Sequence, residues 1–222
     1  MGLEADLTLQ FSDEGRGASC QGKLTYDRLR EKVMLDCANL KNELLFRYKT
    51  LDLNFELYLP GQKKVIRGNI FDLQFDPDVS VYLLPQDLYR ALKPMLIEPR
   101  QARLTGWDHD AHRGQVLNSD LSPMGNRFKL NVLKNGRDNH PYLARTLLVT
   151  KQGDVPEETF YQQNGTPQVL IRRTDFIESK MADLKKKVFY PRVTEIQSLT
   201  TPRKTILIIR SARFWLHPKE WP

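Results

Sequence analysis

Cys20 and Cys37 are the only thiols among 222 residues, and they bound the stretch CQGKLTYDRLREKVMLDC. A thiol can form a disulfide, hold a metal or attack an electrophile, but the last two need company: further ligands, or a base. The four histidines are His109, His112, His140 and His217. Only the segment WDHDAH gathers two of them beside a carboxylate, as His109, Asp110 and His112. No second cluster of ligands accompanies it, so the segment reads as a solvated loop and no metal is assigned. The chain has no Gly-x-Ser-x-Gly elbow, no P-loop, no Gly-x-Gly-x-x-Gly and no Cys-x-x-Cys. Its carboxylates are scattered and yield no acid/base pair. The sequence therefore predicts no catalytic residue, no cofactor and no enzymatic activity.

What the cysteines do depends on the hairpin between them. Pairing Tyr26 with Glu31 across a four-residue turn, Asp27 to Arg30, sets Leu24 against Val33, Gly22 against Leu35 and Cys20 against Cys37. The apolar residues of both strands then share one face. Directly opposed residues have Cβ atoms ~4.5–5.5 Å apart, and a disulfide wants ~3.5–4.5 Å. Two outcomes fit: a disulfide after a small adjustment, which would belong to an oxidising compartment, or two buried thiols acting as small hydrophobes.

The elements around this hairpin follow the same period of two. Residues 5–11, 19–26, 32–38, 44–49, 53–59 and 64–70 alternate, with Leu7, Leu9 and Phe11 on one face of the first. The dipeptide Pro60-Gly61 is a turn signal. The segment DLYRALKPML, 87–96, is the clearest helix, with Leu88, Leu92 and Leu96 on one stripe and Pro94 to end it; a second helical piece is expected at 179–187. Further strands are expected at 101–107, 114–118, 127–133, 144–150, 157–163, 167–177, 187–197 and 204–216, with Asn135-Gly136, Gly153-Asp154 and Asn164-Gly165 between some of them. No Pro-, Gly- or Ser-rich linker and no repeat interrupts residues 1–222, so one mainly β domain is expected, an antiparallel sheet curling into a sandwich or barrel.

The net charge of +7 favours anionic partners without choosing among nucleic acid, lipid headgroups and acidic proteins. No apolar run approaches the ~18 residues that span a bilayer, and MGLEADLTLQ is not a signal peptide. The protein is either cytosolic or carries its export segment outside this chain. In PQVLIRRTDFI, alternation sends Arg172 and Arg173 to opposite faces, so one arginine points inward and needs a partner there. Lys185, Lys186 and Lys187 read as a solvated charge run.

Several of these stretches resemble the LolA/LolB-like superfamily of periplasmic lipoprotein carriers. LEADLTLQFSDEGRGASCQGKLTYDRLREKVML is similar to that family's opening strands. NFELYLPGQKKVIRGNI resembles its strand–Pro–Gly–strand hairpin, followed by a helix of the PQDLYRAL kind. RTLLVTKQGDVPEETFYQQNGTPQVLIRRTDF, VFYPRVTEIQS and KTILIIRSARFWLHPKEWP resemble its closing strands. The resemblance implies a curved antiparallel sheet forming an incomplete β-barrel, with helices covering the open side and an apolar hollow that takes acyl chains. It implies non-catalytic binding or transport of a lipid or lipoprotein acyl chain in the bacterial cell envelope, a periplasmic or outer-membrane-anchored location, and a lipid, a lipidated protein or an envelope protein as partner. The lining expected on this basis is Leu24, Val33, Leu35, Leu53, Phe55, Leu57 and Leu59, with Leu88 and Leu92 from the helix. Arg28 matches the family's turn arginine, although Leu29 stands where proline is usual. The family's N-terminal helix has no counterpart here. A packed core would use the same apolar residues.

Two rival readings remain. Asp120, Ser122 and Gly125 resemble the Asp-x-Ser-x-x-Gly signature of PilZ domains, β-barrels that bind cyclic di-GMP, with Arg100 and Arg103 one residue short of the usual arginine spacing. A nucleic-acid-binding β protein would need aromatic residues exposed on a sheet for stacking. Most aromatics here alternate as core positions do, so no nucleic-acid partner is expected.

Overall fold

A computed structural model describes residues 2–27, 32–51, 54–69, 119–124, 127–135, 140–152, 154–180 and 187–215. In chain order the strands are β1 (Gly2–Asp13), β2 (Arg16–Asp27), β3 (Lys32–Ala38), β4 (Leu44–Leu51), β5 (Asn54–Leu59), β6 (Lys64–Asn69), β7 (Ser119–Met124), β8 (Arg127–Asn135), β9 (Pro141–Thr150), β10 (Glu157–Tyr161), β11 (Pro167–Lys180), β12 (Lys187–Ser198) and β13 (Lys204–Trp215). Their hydrogen-bonded order is linear, β6-β5-β4-β3-β2-β1-β13-β12-β11-β10-β9-β8-β7, and among the described residues the ladder does not close. The registered pairings are antiparallel. Two compact units are present. One holds residues 1–93, 174–195 and 203–222; the other holds 94–173 and 196–202.

No α-helix occurs among the described residues, whose one helical piece is the 3-10 turn Pro60–Gln62. The helix expected at 87–96 lies outside them, as do the strands expected at 101–107 and 114–118. The helix expected at 179–187 is corrected at both ends: Ser179 and Lys180 finish β11, and Lys187 begins β12. Strand β7 went unread, because its sequence, SDLSPM, carries a proline and no run of β-formers.

In the first unit, β1 and β2 form a tight hairpin. Asp13 pairs with Arg16, and the two residues between them, Glu14 and Gly15, have φ of 47° and 79°. Positive φ at both central positions makes the turn whose twist suits a two-residue hairpin. The register that follows is continuous: Leu9 opposes Cys20, Leu7 opposes Gly22, Ala5 opposes Leu24 and Leu3 opposes Tyr26. On the other side of β1, Leu9 opposes Leu207 and Leu7 opposes Ile209. A bulge then takes up Arg210, and Ala5 meets Ala212 and Leu3 meets Phe214. The extra residue reverses the alternation of β13 and keeps its apolar side chains on one face.

The β2–β3 register differs from the sequence expectation. Asp27 opposes Lys32 across residues 28–31, so Tyr26 meets Val33, Leu24 meets Leu35 and Gly22 meets Cys37. The shift is two residues, which preserves the faces and moves the cysteines from opposite to diagonal. They are nevertheless bonded as a disulfide, with Cα atoms 5.8 Å apart. The position opposite Cys37 is a glycine, so no side chain competes for the space its sulfur crosses to reach Cys20. Gly22 is closely covered as well: a Cβ there would lie 2.5 Å from Leu7 Cδ1 and 3.3 Å from Leu35 Cδ1.

The bridge joins residues 17 apart in sequence, so closing that loop restricts the unfolded chain by about 3 kcal/mol. Thermal unfolding of a Cys20→Ala/Cys37→Ala variant is expected to show that loss as a midpoint lower by several degrees, and a reductant should lower the native protein's midpoint to match. An unchanged midpoint in both cases would contradict the structural role given to the bridge.

Candidate functional site

One face of the first unit's strands is apolar in rows that run across the sheet. One row is Ala212, Ala5, Leu24, Leu35, Tyr48, Leu57 and Ile66; the next is Phe214, Leu3, Tyr26, Val33, Thr50, Phe55 and Gly68. Residues join one row because directly opposed side chains in an antiparallel pair share a face. Leu7, Leu9, Val33, Leu35 and Cys37 have no exposed surface at all. The opposite face carries cross-strand ion pairs. Arg47 donates from Nε and Nη2 to the Asp36 carboxylate at 2.6 and 2.7 Å, a hydrogen bond that raises the guanidinium's pKa further. Arg67 meets Glu56 at 2.8 Å. These exposed pairs add little stability; they mark the solvated side.

Polar groups on the apolar face are few. Thr50 is buried and its hydroxyl accepts from the Val33 N–H at 3.0 Å. Tyr48 is buried too, its ring stacked 6.5 Å from that of Phe55. Burial pushes its phenol far above the ordinary tyrosine range, so the group is a neutral hydroxyl at any physiological pH.

Five predicted lining residues, Leu24, Val33, Leu35, Phe55 and Leu57, are brought together, buried, on this face. Leu59 shares the face, half-buried near its rim. Leu53, Leu88, Leu92 and Arg28 lie outside the described residues. Sequence reasoning omitted Leu3, Tyr26, Leu207, Ile209, Phe214 and, most consequentially, Tyr48. The signal for Tyr48 was present in LLFRYK, where it stands two residues from Phe46 and so on the same face.

The second unit has a different centre. Leu130, Val132, Leu147, Val149 and Val155 form its apolar cluster. Set into the same face is an ionic group: Glu158 accepts from Arg145 Nη1 at one carboxylate oxygen and from Arg173 Nη2 at the other, both at 2.9 Å. Arg173 Nη1 also donates to the Val155 carbonyl at 3.3 Å, and the Arg145 guanidinium lies 5.8 Å from the centre of the Phe160 ring. All three charged side chains are at most 5% exposed. Arg173 is thus the inward member of the Arg172–Arg173 pair, and Arg172 faces solvent beside Glu157 at 3.2 Å. Arg145 and Glu158 were not anticipated: one charge in LARTLL carries no sign of its depth, and in EETFY alternation sends one of the two glutamates inward without naming its partner. One charge-assisted hydrogen bond from each guanidinium to a separate carboxylate oxygen offsets part of the cost of burial.

The PilZ-like reading is not favoured by the fold. Asp120 and Ser122 sit within strand β7, paired with Asn131 and Lys129; Arg100, Arg103 and Gly125 lie outside the described residues. The segment WDHDAH also lies outside them, and no group of three or more His, Cys, Asp or Glu fit for a metal occurs among the described residues.

No protein-family profile matches the chain, and no characterised protein matches it in sequence. Solved structures do match its fold. A domain described as outer-membrane lipoprotein-sorting, from Vibrio parahaemolyticus, superposes with a TM-score of 0.62 at 12% identity over 99% of this chain and 87% of that one. A LolA superfamily protein from Nitrosomonas europaea gives 0.61 at 11% identity over 98% and 87%. A DUF1329 family protein from Desulfovibrio piger gives 0.63 at 10% identity over 96% and 85%. The chain therefore has the LolA-type fold, which the resemblance in its sequence led one to expect.

Removing the charge of Glu158 leaves two buried guanidiniums facing a neutral group. Chemical denaturation of Glu158→Gln is expected to show a loss of about 3–5 kcal/mol. Glu157→Gln, which breaks only the exposed pair with Arg172, should stay within about 0.5 kcal/mol of the native protein. Equal losses in the two variants would contradict the buried cluster.

Proposed function

We propose that the protein binds the acyl chain of a lipid or a lipidated protein in the bacterial cell envelope, without catalysis. The observation that carries this reading is the apolar face of the first unit, continuous across seven strands, in a chain with the LolA-type fold. Binding of this kind needs no reacting group. Each methylene removed from water contributes ~0.8 kcal/mol, so one alkyl chain along such a face supplies a usable affinity. Leu24, Val33, Leu35, Phe55 and Leu57 are the lining, with Leu53, Leu59, Leu88, Leu92 and Arg28 completing it.

The Cys20–Cys37 disulfide supports a periplasmic location, or one at the periplasmic side of the outer membrane, because such bonds persist in oxidising compartments. A second envelope protein would deliver or receive the ligand.

Native mass spectrometry of the protein purified from an oxidising compartment tests the reading. The expected spectrum shows added mass matching a fatty acid or phospholipid, lost on denaturation, and a polypeptide lacking both thiol hydrogens. A bare chain that also fails to take up added lipid would overturn it.

A further inference from the structure

We infer that Tyr48 is the polar anchor of the bound ligand, donating its hydroxyl hydrogen to the neutral carbonyl of an acyl ester or amide. This rests on the lipid-binding reading and narrows it to a chain with a carbonyl near its buried end.

Tyr48 lies in the middle of an apolar row, between Leu35 on β3 and Leu57 on β5. It is 5% exposed, and its hydroxyl has no hydrogen-bond partner among the described residues. Buried hydroxyls are normally satisfied, and one left without a partner is costly. Thr50, two residues along the same strand and on the same face, shows the ordinary arrangement, bonded to the Val33 backbone. Phenylalanine would fill the Tyr48 site equally well by shape, since the ring already packs on Phe55. What the tyrosine adds is one buried donor on a face whose neighbouring row members are leucines.

The chemistry of the face selects the acceptor. The other buried polar side chains described on it, Thr50 and Thr205, are uncharged hydroxyls. A carboxylate held there would lose its hydration with no cation to replace it. A neutral ester or amide carbonyl loses much less and accepts the phenol's hydrogen in a low-dielectric setting, where the bond is strong. An alkane of the same length gains the burial but not the bond.

The test compares wild type with Tyr48→Phe, using displacement of a neutral fluorescent probe by methyl decanoate and by dodecane, which have equal chain length. The expected result is about fivefold weaker binding of methyl decanoate to Tyr48→Phe, the size of one neutral hydrogen bond, with dodecane binding unchanged or improved. The ligand-free variant should unfold at the same temperature as wild type or higher. A variant that binds both ligands as wild type does would overturn the inference and leave the lipid-binding reading standing. Wild type that binds neither ligand would overturn both. A lower unfolding temperature for the ligand-free variant would show that the hydroxyl is bonded within the protein, and would also overturn it. Infrared spectra of methyl decanoate bound to wild type provide a check needing no variant: its ester carbonyl band should move to lower frequency than in hydrocarbon, and an unmoved band counts against the anchor.

Discussion

A β-strand with one buried face can slide past its neighbour by two residues but not by one. In the first unit this parity rule acts on every ladder at once. β1 is held on one side by β2 and on the other by β13, so Leu3, Leu7 and Leu9 must satisfy two registers together. The solution includes a bulge at Arg210, without which Phe214 and Ile209 could not lie on the same face. The disulfide and Gly22 are consequences of this constraint. Once Leu24 faces Leu35, Gly22 must face Cys37, and only a residue without a side chain fits beneath Leu7 and beside the bridge.

The second unit meets a different requirement. Burying two arginines and a glutamate in an otherwise apolar face does not maximise stability, since apolar replacements of similar volume are often neutral or better. What such a cluster does is fix geometry. Glu158 bonds Arg145 on β9 and Arg173 on β11 through separate oxygens, and it lies on β10 between them. A register slip in either ladder would strand a charge, so three strands are locked against one another. The first unit uses a covalent bridge toward the same end, between two neighbouring strands.

Much of this was legible in the sequence. The period of two found most strands to within a few residues, and it placed Leu24, Val33, Leu35, Phe55 and Leu57 on one face because a two-residue error of register leaves faces intact. For the same reason it could not fix which residue opposes Cys37, which depends on where the pairing of β2 with β3 starts. It identified one inward arginine from the doublet Arg172–Arg173, where alternation must separate the two. It could not see Arg145, which is the one charge in its strand and whose burial only tertiary pairing makes tolerable; the doublet Glu157–Glu158 offered the same alternation argument as the arginines, and that signal was not used. Strand β7 was invisible for want of β-branched residues. Tyr48 was readable as a core position, but its unusual property, a hydroxyl without a partner, belongs to the packing and not to the pattern.

That property bears on whether an apolar face of this size is a core or a binding surface. A core selected for stability alone has no use for an isolated buried donor, and sequences lose such groups easily because phenylalanine differs from tyrosine by one oxygen atom. Leu24, Leu35 and Leu57 cannot distinguish the two cases, since an alkyl chain and a neighbouring leucine present the same chemistry to them. Tyr48 can. Its ring is accounted for by Phe55, and its raised pKa keeps it a donor rather than a charge. Only its hydrogen has no role in the described structure. A ligand that ends in hydrocarbon and begins in a carbonyl supplies the acceptor that the hydroxyl lacks, and it leaves the rest of the face as apolar as the fold requires.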